Sequence, residues 1–319
     1  MKIPFLKWLI PIAILIALCC INAHYEIFAL NIPKGQGNEK AEGSFRVMTY
    51  NVKSTIGNEE SIMNFKNGLI KEIDKQNPDV LCLQEMSIII FQKIQNSLDS
   101  IFGYTDSLEI KKERYRYSIY SKKPIRNFKN YKCTLEIDTL GLDSLSMRSV
   151  KKDQQVMPVN SVEIELEAGK WITMYNCHLR SSAYSVARQS MDKGATWTDG
   201  VHLYYHNYKQ GERIRNYEAD NFRLLLDSIE ANNIPVIIAG DFNDWSGSYS
   251  LETIRNGYLK DAWWDGGFGF GFTYDDWHLK LRLDHILYSP HFKLHFVNIE
   301  QTKFSDHYPL IADFKLAKD

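Results

Sequence analysis

Short apolar runs alternate with amphipathic segments along most of the chain, and this alternation predicts a mixed α/β fold. Residues 44–52, SFRVMTYNV, alternate and are rich in strand-forming side chains, whereas residues 79–85, DVLCLQE, form a continuous apolar run typical of a strand buried on both faces. Between them, residues 60–76 place apolar side chains at helical spacing and stop near Asn77 and Pro78. The sequence therefore predicts a strand–helix–strand unit at the start of the folded part.

The same patterns predict elements over the rest of the chain. The other predicted helices lie near 87–99, 211–231 and after Ser248, and the other strands at 116–121, 133–138, 159–166, 171–178, 234–240, 282–289, 294–302 and 308–314. Residues 181–209 show no regular period and predict a long irregular connection. Because hairpins and crossovers are mixed, we expect an α/β fold in which two mixed β-sheets pack together with helices outside.

A distinct apolar segment precedes the folded part. Lys2 and Lys7 are followed by an uncharged run from Trp8 to Ile21, which is shorter than the about 20 residues that span a bilayer comfortably. Residues 1–23 therefore predict a signal peptide or, if uncleaved, a transmembrane signal anchor with both lysines in the cytoplasm. We expect residues 24–44 to be a linker and residues 45–319 to be one exported domain, periplasmic or extracellular, or tethered to the membrane.

Charge changes this picture only locally. The formal net charge of −1 gives no overall signature of a nucleic-acid partner. Residues 111–132, however, carry nine lysines and arginines against the single acid Glu113. A run of this kind is either a solvated surface or a contact for an anionic partner, and the sequence leaves both interpretations open.

Polar side chains follow the predicted strands, at the points where open α/β sheets form their clefts. These residues are Asn51, Glu85, His178, Asp241, Asn243, Asp284, Asp306 and His307. Each has a structural explanation when taken singly, such as a turn cap or an acid at a helix amino terminus. Together they predict a site in which carboxylates, carboxamides and two imidazoles converge.

Six motifs carry a resemblance to a known family. VMTYNV, LCLQE, NCHLRS, AGDFND, RLDHIL and SDHYPL stand in the order and spacing of the endonuclease/exonuclease/phosphatase superfamily, over about residues 45–316. The resemblance implies a deoxyribonuclease-like fold, which is a four-layer sandwich of two mixed β-sheets flanked by helices. It also implies a metal-dependent phosphoric ester hydrolase.

The resemblance further implies a metal site. Glu85 and Asp306 would hold a divalent cation through carboxylate oxygens, and Asn51 would lie beside it and help to orient it. Hard ions such as Mg²⁺ prefer oxygen ligands of this kind, so we expect Mg²⁺ or Mn²⁺ as the cofactor.

The remaining motif residues would act on the phosphate. Asp241 would orient or deprotonate the attacking water, and Asn243 would donate a hydrogen bond to the phosphate oxygens, where negative charge grows. His307 would donate to the phosphate or assist proton transfer, with Asp284 fixing its tautomer.

His178 supplies a second imidazole, as in the deoxyribonuclease-like and sphingomyelinase-like branches of the superfamily. The resemblance implies a carboxylate partner for it, and Glu113 stands about where that partner is expected.

The substrate stays open at this stage. An exported, metal-dependent phosphodiesterase of nuclease-like type is the leading hypothesis, and its partner would be a nucleic acid. A phospholipid or inositol-phosphate phosphatase, or a sphingomyelinase-like enzyme, is the second. A phosphate-binding module without catalysis is the third, although it predicts gaps among the acid and imidazole positions and the sequence has none. We expect a monomer.

Overall fold

The computed structural model of the chain describes residues 6–32, 40–54, 58–110, 115–131, 141–142, 159–182, 189–194, 196–276 and 279–317. Helices within these ranges include α1 (Leu6–Tyr25), α2 (Glu59–Gln76), α3 (Ile88–Phe102), α4 (Trp197–Ala231), α5 (Tyr249–Arg255) and α6 (Ala262–Gly266). The strands are β1 (Ala29–Leu30), β2 (Phe45–Asn51), β3 (Val80–Ser87), β4 (Tyr104–Ile110), β5 (Tyr115–Ser121), β6 (Ile125–Tyr131), β7 (Val159–Glu167), β8 (Lys170–His178), β9 (Val236–Asp241), β10 (Lys260–Asp261), β11 (Phe268–Gly269), β12 (Tyr274–Asp276), β13 (Leu279–Leu281), β14 (Asp284–Tyr288), β15 (Phe292–Ile299) and β16 (Leu310–Leu316).

Two six-stranded mixed sheets form the centre of the molecule. The first has the order β15-β16-β2-β3-β5-β4, with β2 and β3 parallel, and the second has the order β10-β14-β9-β8-β7-β6, with β8 and β9 parallel. The other neighbouring pairs in both sheets are antiparallel. The two parallel pairs place the carboxyl ends of four strands at one edge of the double sheet.

Three apolar clusters explain the layering. One lies between the sheets and contains inward-facing residues of both, such as Val47, Val80, Met174 and Ile237. A second packs α2 and α3 onto the outer face of the first sheet, and a third packs α4 and α5 onto the outer face of the second. The predicted four-layer sandwich is confirmed, because each sheet buries one face against its partner and the other against helices.

The long irregular connection predicted for residues 181–209 is wrong over its second half. Residues 197–209 belong to α4, a single helix of 35 residues that starts fourteen residues before the predicted helix 211–231. Thr196 caps it by accepting a hydrogen bond from a first-turn backbone N–H. The first turns carry tyrosines and histidines in place of an aliphatic stripe. Tyr204 and Tyr208 pack there against the β12–β13 hairpin, a contact that local periodicity does not reveal.

Two further differences concern strands. β3 runs past the predicted end at residue 85, because its pairing with β5 shifts register between Leu83 and Met86. β4 and β6 lack a clear alternation and were not predicted. The strand predicted at 133–138 lies outside the described residues.

The amino-terminal segment differs from a free tether. Within the part of the chain that the structure describes, no helix combines the length and the apolar character needed to cross a membrane. The predicted linker 24–44 is docked over its first part, because β1 pairs with β11 and Glu26 forms a two-pronged ion pair with Arg255. These contacts join part of the predicted linker to the domain predicted for residues 45–319, and the domain boundaries stay a prediction.

The first sheet contains a fully buried ion pair that yields a stability prediction. Arg46 on β2 faces Asp313 on β16, with Nε–Oδ1 and Nη2–Oδ2 distances of 2.6 and 2.8 Å. Asp313→Asn removes the charged carboxylate that two guanidinium nitrogens contact, so we expect a loss of roughly 3–5 kcal/mol in the free energy of unfolding. Urea denaturation followed by circular dichroism measures it.

The matched control is Lys93→Ala, which removes the exposed pair with Glu59. That change should leave the free energy of unfolding almost unchanged, since exposed ion pairs contribute little. Equal losses in Asp313→Asn and Lys93→Ala would contradict the importance assigned to the buried pair.

Candidate active site

Strand register brings three of the predicted site residues side by side. His178 at the end of β8 lies opposite Asp241 at the end of β9, and Asp284 at the start of β14 lies opposite Asp241 on the other side. Gly240 permits this approach, because a Cβ there would lie 1.9 Å from the carbonyl oxygen of Cys177. The second sheet alone therefore aligns an imidazole and two carboxylates.

Asn51 links this row to the first sheet. Its Nδ2 donates to Oε1 of Glu85 at 3.1 Å and to Oδ2 of Asp241 at 2.9 Å, while its Oδ1 accepts from the backbone N–H of Lys53 at 3.0 Å. The side-chain nitrogen must face the two carboxylates, which only accept hydrogen bonds, and the side-chain oxygen must face the N–H, which only donates. Asn51 therefore orients both carboxylates by donation, and its predicted place beside a metal stays a prediction.

A backbone irregularity aims Glu85 at the site. Its φ angle is 53°, and it lies at the register shift between β3 and β5, where an extra residue turns a side chain out of the alternating pattern. Nε2 of His178 lies 3.3 Å from Oε1 of Glu85 and 3.6 Å from Oδ2 of Asp241. Burial alone would raise the pKa of Glu85, but the hydrogen bond and charge of His178, helped by Asn51, lower that pKa to about 2.

His307 and Asp284 form the pair that the sequence suggests. Nδ1 of His307 lies 2.8 Å from Oδ2 of Asp284, and Nε2 points towards Oδ2 of Asp241 at 3.8 Å. The ring of Tyr274 packs edge-on against the imidazole. Burial lowers the pKa of His307, but the charges of Asp284 and Asp241 outweigh it and raise the pKa to about 10. The imidazole is thus held as a cation with Nε2 towards the cleft.

Asn243 acts on Asp241 within the protein. Its φ angle of 51° turns the chain back, so that its backbone N–H donates to Oδ1 of Asp241 at 2.8 Å. Its Nδ2 donates to Oδ2 of Asp241 at 3.1 Å and to the carbonyl oxygen of Leu179 at 3.0 Å. Both amide hydrogens are therefore engaged, and the phosphate contact predicted for Asn243 requires its side chain to rotate.

Asp306 stands apart from the other acids. Its carboxylate forms an ion pair with the ammonium group of Lys53. Among the described residues, neither group of clustered ligand atoms includes it. The metal role of Asp306 stays a prediction, and its present partner is a cation that sequence reasoning did not consider.

Glu113, predicted as the partner of His178, lies outside the described residues. Three described members of the basic run 111–132 are engaged within the domain. Arg116 stacks on an aromatic ring of α3, and Arg126 pairs with a carboxylate of β7 and stacks on a tryptophan of β8. The backbone N–H of Lys122 donates to the carbonyl oxygen of Asp79, next to the start of β3. Glu85 lies near the other end of that strand. These contacts favour a structural role for the run.

The donor set fits a divalent cation. Two groups of side chains have ligand atoms within 4.8 Å of one another, Glu85 with His178 and Asp241, and Asp241 with Asp284 and His307. Burial, and then the charge of Asp284, raise the pKa of Asp241. Oδ1 of Asp284 is buried and accepts no hydrogen bond from the described residues. Crowded carboxylate oxygens of this kind favour a hard cation, which when bound would offset charge on phosphate oxygens.

The comparison with known families agrees with this geometry. The profile of the Endonuclease/Exonuclease/phosphatase family matches residues 48–307, a span from β2 to His307 that includes every residue of the cluster. The chain belongs to this family. Its members are metal-dependent hydrolases of phosphate esters, and this chain is one of these enzymes. Among functionally curated proteins, none matches the sequence significantly.

Solved structures show the same fold at low sequence identity. The human Nocturnin catalytic domain with bound sulfate is 20% identical with a TM-score of 0.60, and 86% of this chain and 94% of that one are covered. TDP2 from C. elegans is 18% identical with a TM-score of 0.58, covering 88% and 77%. TDP2 from D. rerio, complexed with a single-strand DNA product, is 14% identical with a TM-score of 0.57, covering 86% and 100%.

Three residues near the site escaped the sequence reasoning. Lys53 follows Asn51 by two positions and holds Asp306. Tyr117 on β5 stacks on His178 with ring centroids 5.3 Å apart, and Tyr274 contacts His307. Lys53 looks like an ordinary loop cation in the sequence. The two tyrosines lie in motifs that look like ordinary strands and reach the imidazoles only through tertiary packing.

The first site prediction concerns Asn51. Asn51→Ala removes the donor that holds Glu85 and Asp241 in their present orientation. We expect binding of Mn²⁺ to weaken roughly 10–100-fold, the usual effect of losing a group that orients metal ligands. Calorimetric titration measures it, and unchanged affinity would argue against a cation held by these two carboxylates.

The second site prediction concerns the imidazole pair. Asp284→Asn removes the carboxylate charge that faces Nδ1 of His307, so the pKa of His307 should fall from about 10 towards its ordinary range. Proton–carbon NMR of the histidine ring in EDTA-treated protein follows this titration. Asp275→Asn is the control, since Asp275 pairs with Lys280 and Tyr308 instead. An unshifted His307 in the first variant would contradict the assignment.

Proposed function

We propose that the protein is a Mg²⁺- or Mn²⁺-dependent phosphodiesterase of nuclease-like type. The observation that carries the proposal is the placement of one buried carboxylate, Asp241, between two imidazoles. Nε2 of His178 lies 3.6 Å and Nε2 of His307 lies 3.8 Å from its Oδ2. A diester needs a base for the attacking water and a proton for the leaving alkoxide, and this arrangement offers both.

The roles follow from the contacts. Asp241 orients or deprotonates water, because Asn51 and Asn243 fix the position of its carboxylate. His307, held as a cation by Asp284, donates a hydrogen bond to a phosphate oxygen as charge grows there. His178 lies on the other side of Asp241 and is the candidate to protonate the leaving oxygen. No covalent intermediate is required.

A nucleic acid is the favoured substrate class. The D. rerio TDP2 structure that shares this fold is described as a complex with a single-strand DNA product. The family and the paired imidazoles agree with such a diester. Arg116 and Arg126 are engaged within the domain, so backbone contacts would come from other parts of the rim.

A phospholipid or sphingomyelin-like substrate is the second candidate, because one surface is markedly apolar. Phe268, Phe270 and Phe272 are 58%, 46% and 37% exposed and lie on the segment that leads into Tyr274, the neighbour of His307. Exposed aromatic side chains of this kind suit the interface of a lipid bilayer. A headgroup diester could then reach the same catalytic residues.

Export is part of the proposal. The two early lysines and the uncharged run from Trp8 to Ile21 support a signal peptide or a membrane tether. Fractionation of cells that express the full chain would test it, and recovery of the protein only in the cytoplasm would refute export.

The activity test uses the full chain, Mg²⁺ or Mn²⁺, and two chromogenic reporters. We expect hydrolysis of bis-p-nitrophenyl phosphate, slower turnover of the monoester, and loss of both with EDTA. Asp241→Asn should lower kcat by a factor of about 10²–10⁴, because it removes the base. Asp199→Asn, on the exposed first turn of α4, is the control and should leave kcat unchanged.

A substrate panel then separates the two candidates. Single-stranded DNA, RNA, sphingomyelin vesicles and inositol phosphates are compared at equal phosphate concentration. Preference for the monoester and inositol phosphates would overturn the diesterase proposal, and preference for vesicles would favour the lipid candidate over the nucleic acid.

A further inference from the structure

The segment from Tyr25 to Asn31, here called the docked segment, is built into the side of the catalytic domain. Asn22 closes the turn before it, with its Nδ2 and Oδ1 bonded to the backbone of Phe28 at 2.9 and 2.7 Å. At its other end, Nδ2 of Asn31 donates to the carbonyl oxygens of Trp264 and Gly267 at 2.7 and 3.1 Å. The Asn22 contacts shape the segment locally, and the Asn31 contacts tie its far end to the domain.

Glu26 is the polar centre of the docked segment. Its two carboxylate oxygens pair with Nη1 and Nη2 of Arg255 at 2.8 and 2.9 Å, and the side chains of this pair are only 11% and 14% exposed. Its carbonyl oxygen accepts from Nη2 of Arg282 at 3.2 Å. The residue thus binds two arginines, one by its side chain and one by its backbone.

Arg282 continues the chain of contacts inwards. It is buried, bonds to Ser246, and donates from Nη1 to Oδ1 of Asp261 at 2.9 Å. The other oxygen of Asp261 lies 2.8 Å from Nδ1 of His285, whose Nε2 lies 3.1 Å from the carbonyl oxygen of Asp244. Asp244 directly follows Asn243, so the contacts end beside the residue that holds Asp241.

Tyr25 reaches the same loop by packing. Its ring lies against that of Trp245, with centroids 5.5 Å apart. Gly247 fits beneath it, since a Cβ there would lie 3.0 Å from Cδ1 and 3.1 Å from Cα of Tyr25, and its φ angle of 78° also favours glycine. The active-site loop, residues 242–248, is therefore held from outside by the docked segment as well as from inside by Arg215, which pairs with Asp244 at 3.1 Å.

The geometry points to a positioning role for the docked segment: Tyr25 and Glu26 fix the active-site loop so that Asn243 holds the Asp241 carboxylate in its reactive orientation. This inference rests on the proposed function for its catalytic consequence, although the mechanical coupling stands without it. Neither residue touches the reacting atoms, and both act through contacts with residues 244–247. A displacement of the carboxylate by a fraction of an ångström would slow the chemical step more than substrate binding.

The test compares Glu26→Gln and Tyr25→Ala with the native full chain by hydrogen–deuterium exchange. We expect the amides of residues 242–248 to exchange roughly 10-fold faster in both variants, because local opening becomes easier. Glu252→Gln is the matched control. It removes the other, 53% exposed carboxylate from the same Arg255 while the contact with Glu26 remains, and it should leave exchange unchanged.

Kinetics on bis-p-nitrophenyl phosphate provide the second readout. We expect kcat to fall roughly 10-fold in Glu26→Gln with KM unchanged, the pattern of a misplaced catalytic group. Unchanged exchange in the loop, or faster exchange spread evenly over the domain, would overturn the inference. Faster exchange confined to the loop in a protein that hydrolyses no diester would support the coupling while refuting the proposed function.

Discussion

The site depends on keeping one buried carboxylate, Asp241, satisfied and correctly aimed. A carboxylate in an apolar interior is costly unless donors surround it. Asn243 supplies two donors from the same loop, and Asn51 supplies a third from the opposite sheet. Because the donors come from both sheets, the carboxylate reaches its geometry only when the sheets are packed across their shared core. The geometry of the site therefore depends directly on the packing of the two sheets.

Backbone conformations that most residues avoid make this possible. Glu85 and Asn243 both adopt positive φ angles, and Gly240 lies where any side chain would collide with the backbone of β8. Such positions cost of order 1–3 kcal/mol each and persist only where the surroundings determine them. Here the parallel pair β8–β9 and the irregular pair β3–β5 supply that surrounding rigidity. The strain lies at residues of the candidate site or directly beside them.

Many residues of the site can be predicted from the sequence, for a physical reason. A strand buried on both faces is a continuous apolar run, so the polar residue that ends it, such as Glu85 or Asp241, stands out and lies at the sheet edge. Side chains that reach the site through tertiary packing carry no such signal. Tyr117 looks like any strand residue, and Lys53 like any loop cation. The sequence does not predict the first turns of α4, because tyrosines stand there in place of aliphatic side chains at helical spacing.

The docked segment shows the same limit most clearly. Asn31 and the residues after it have the polar, glycine-containing composition of a tether. No local feature of the sequence predicts that Glu26 contacts two arginines more than 200 positions away. A segment of this composition takes its structure from its partners. It bonds to α6 and the residue after it through Asn31, and it reaches the loop after β9 through Arg282 and Tyr25. The contacts that fix the segment on the domain are therefore the same ones that support the loop carrying Asn243.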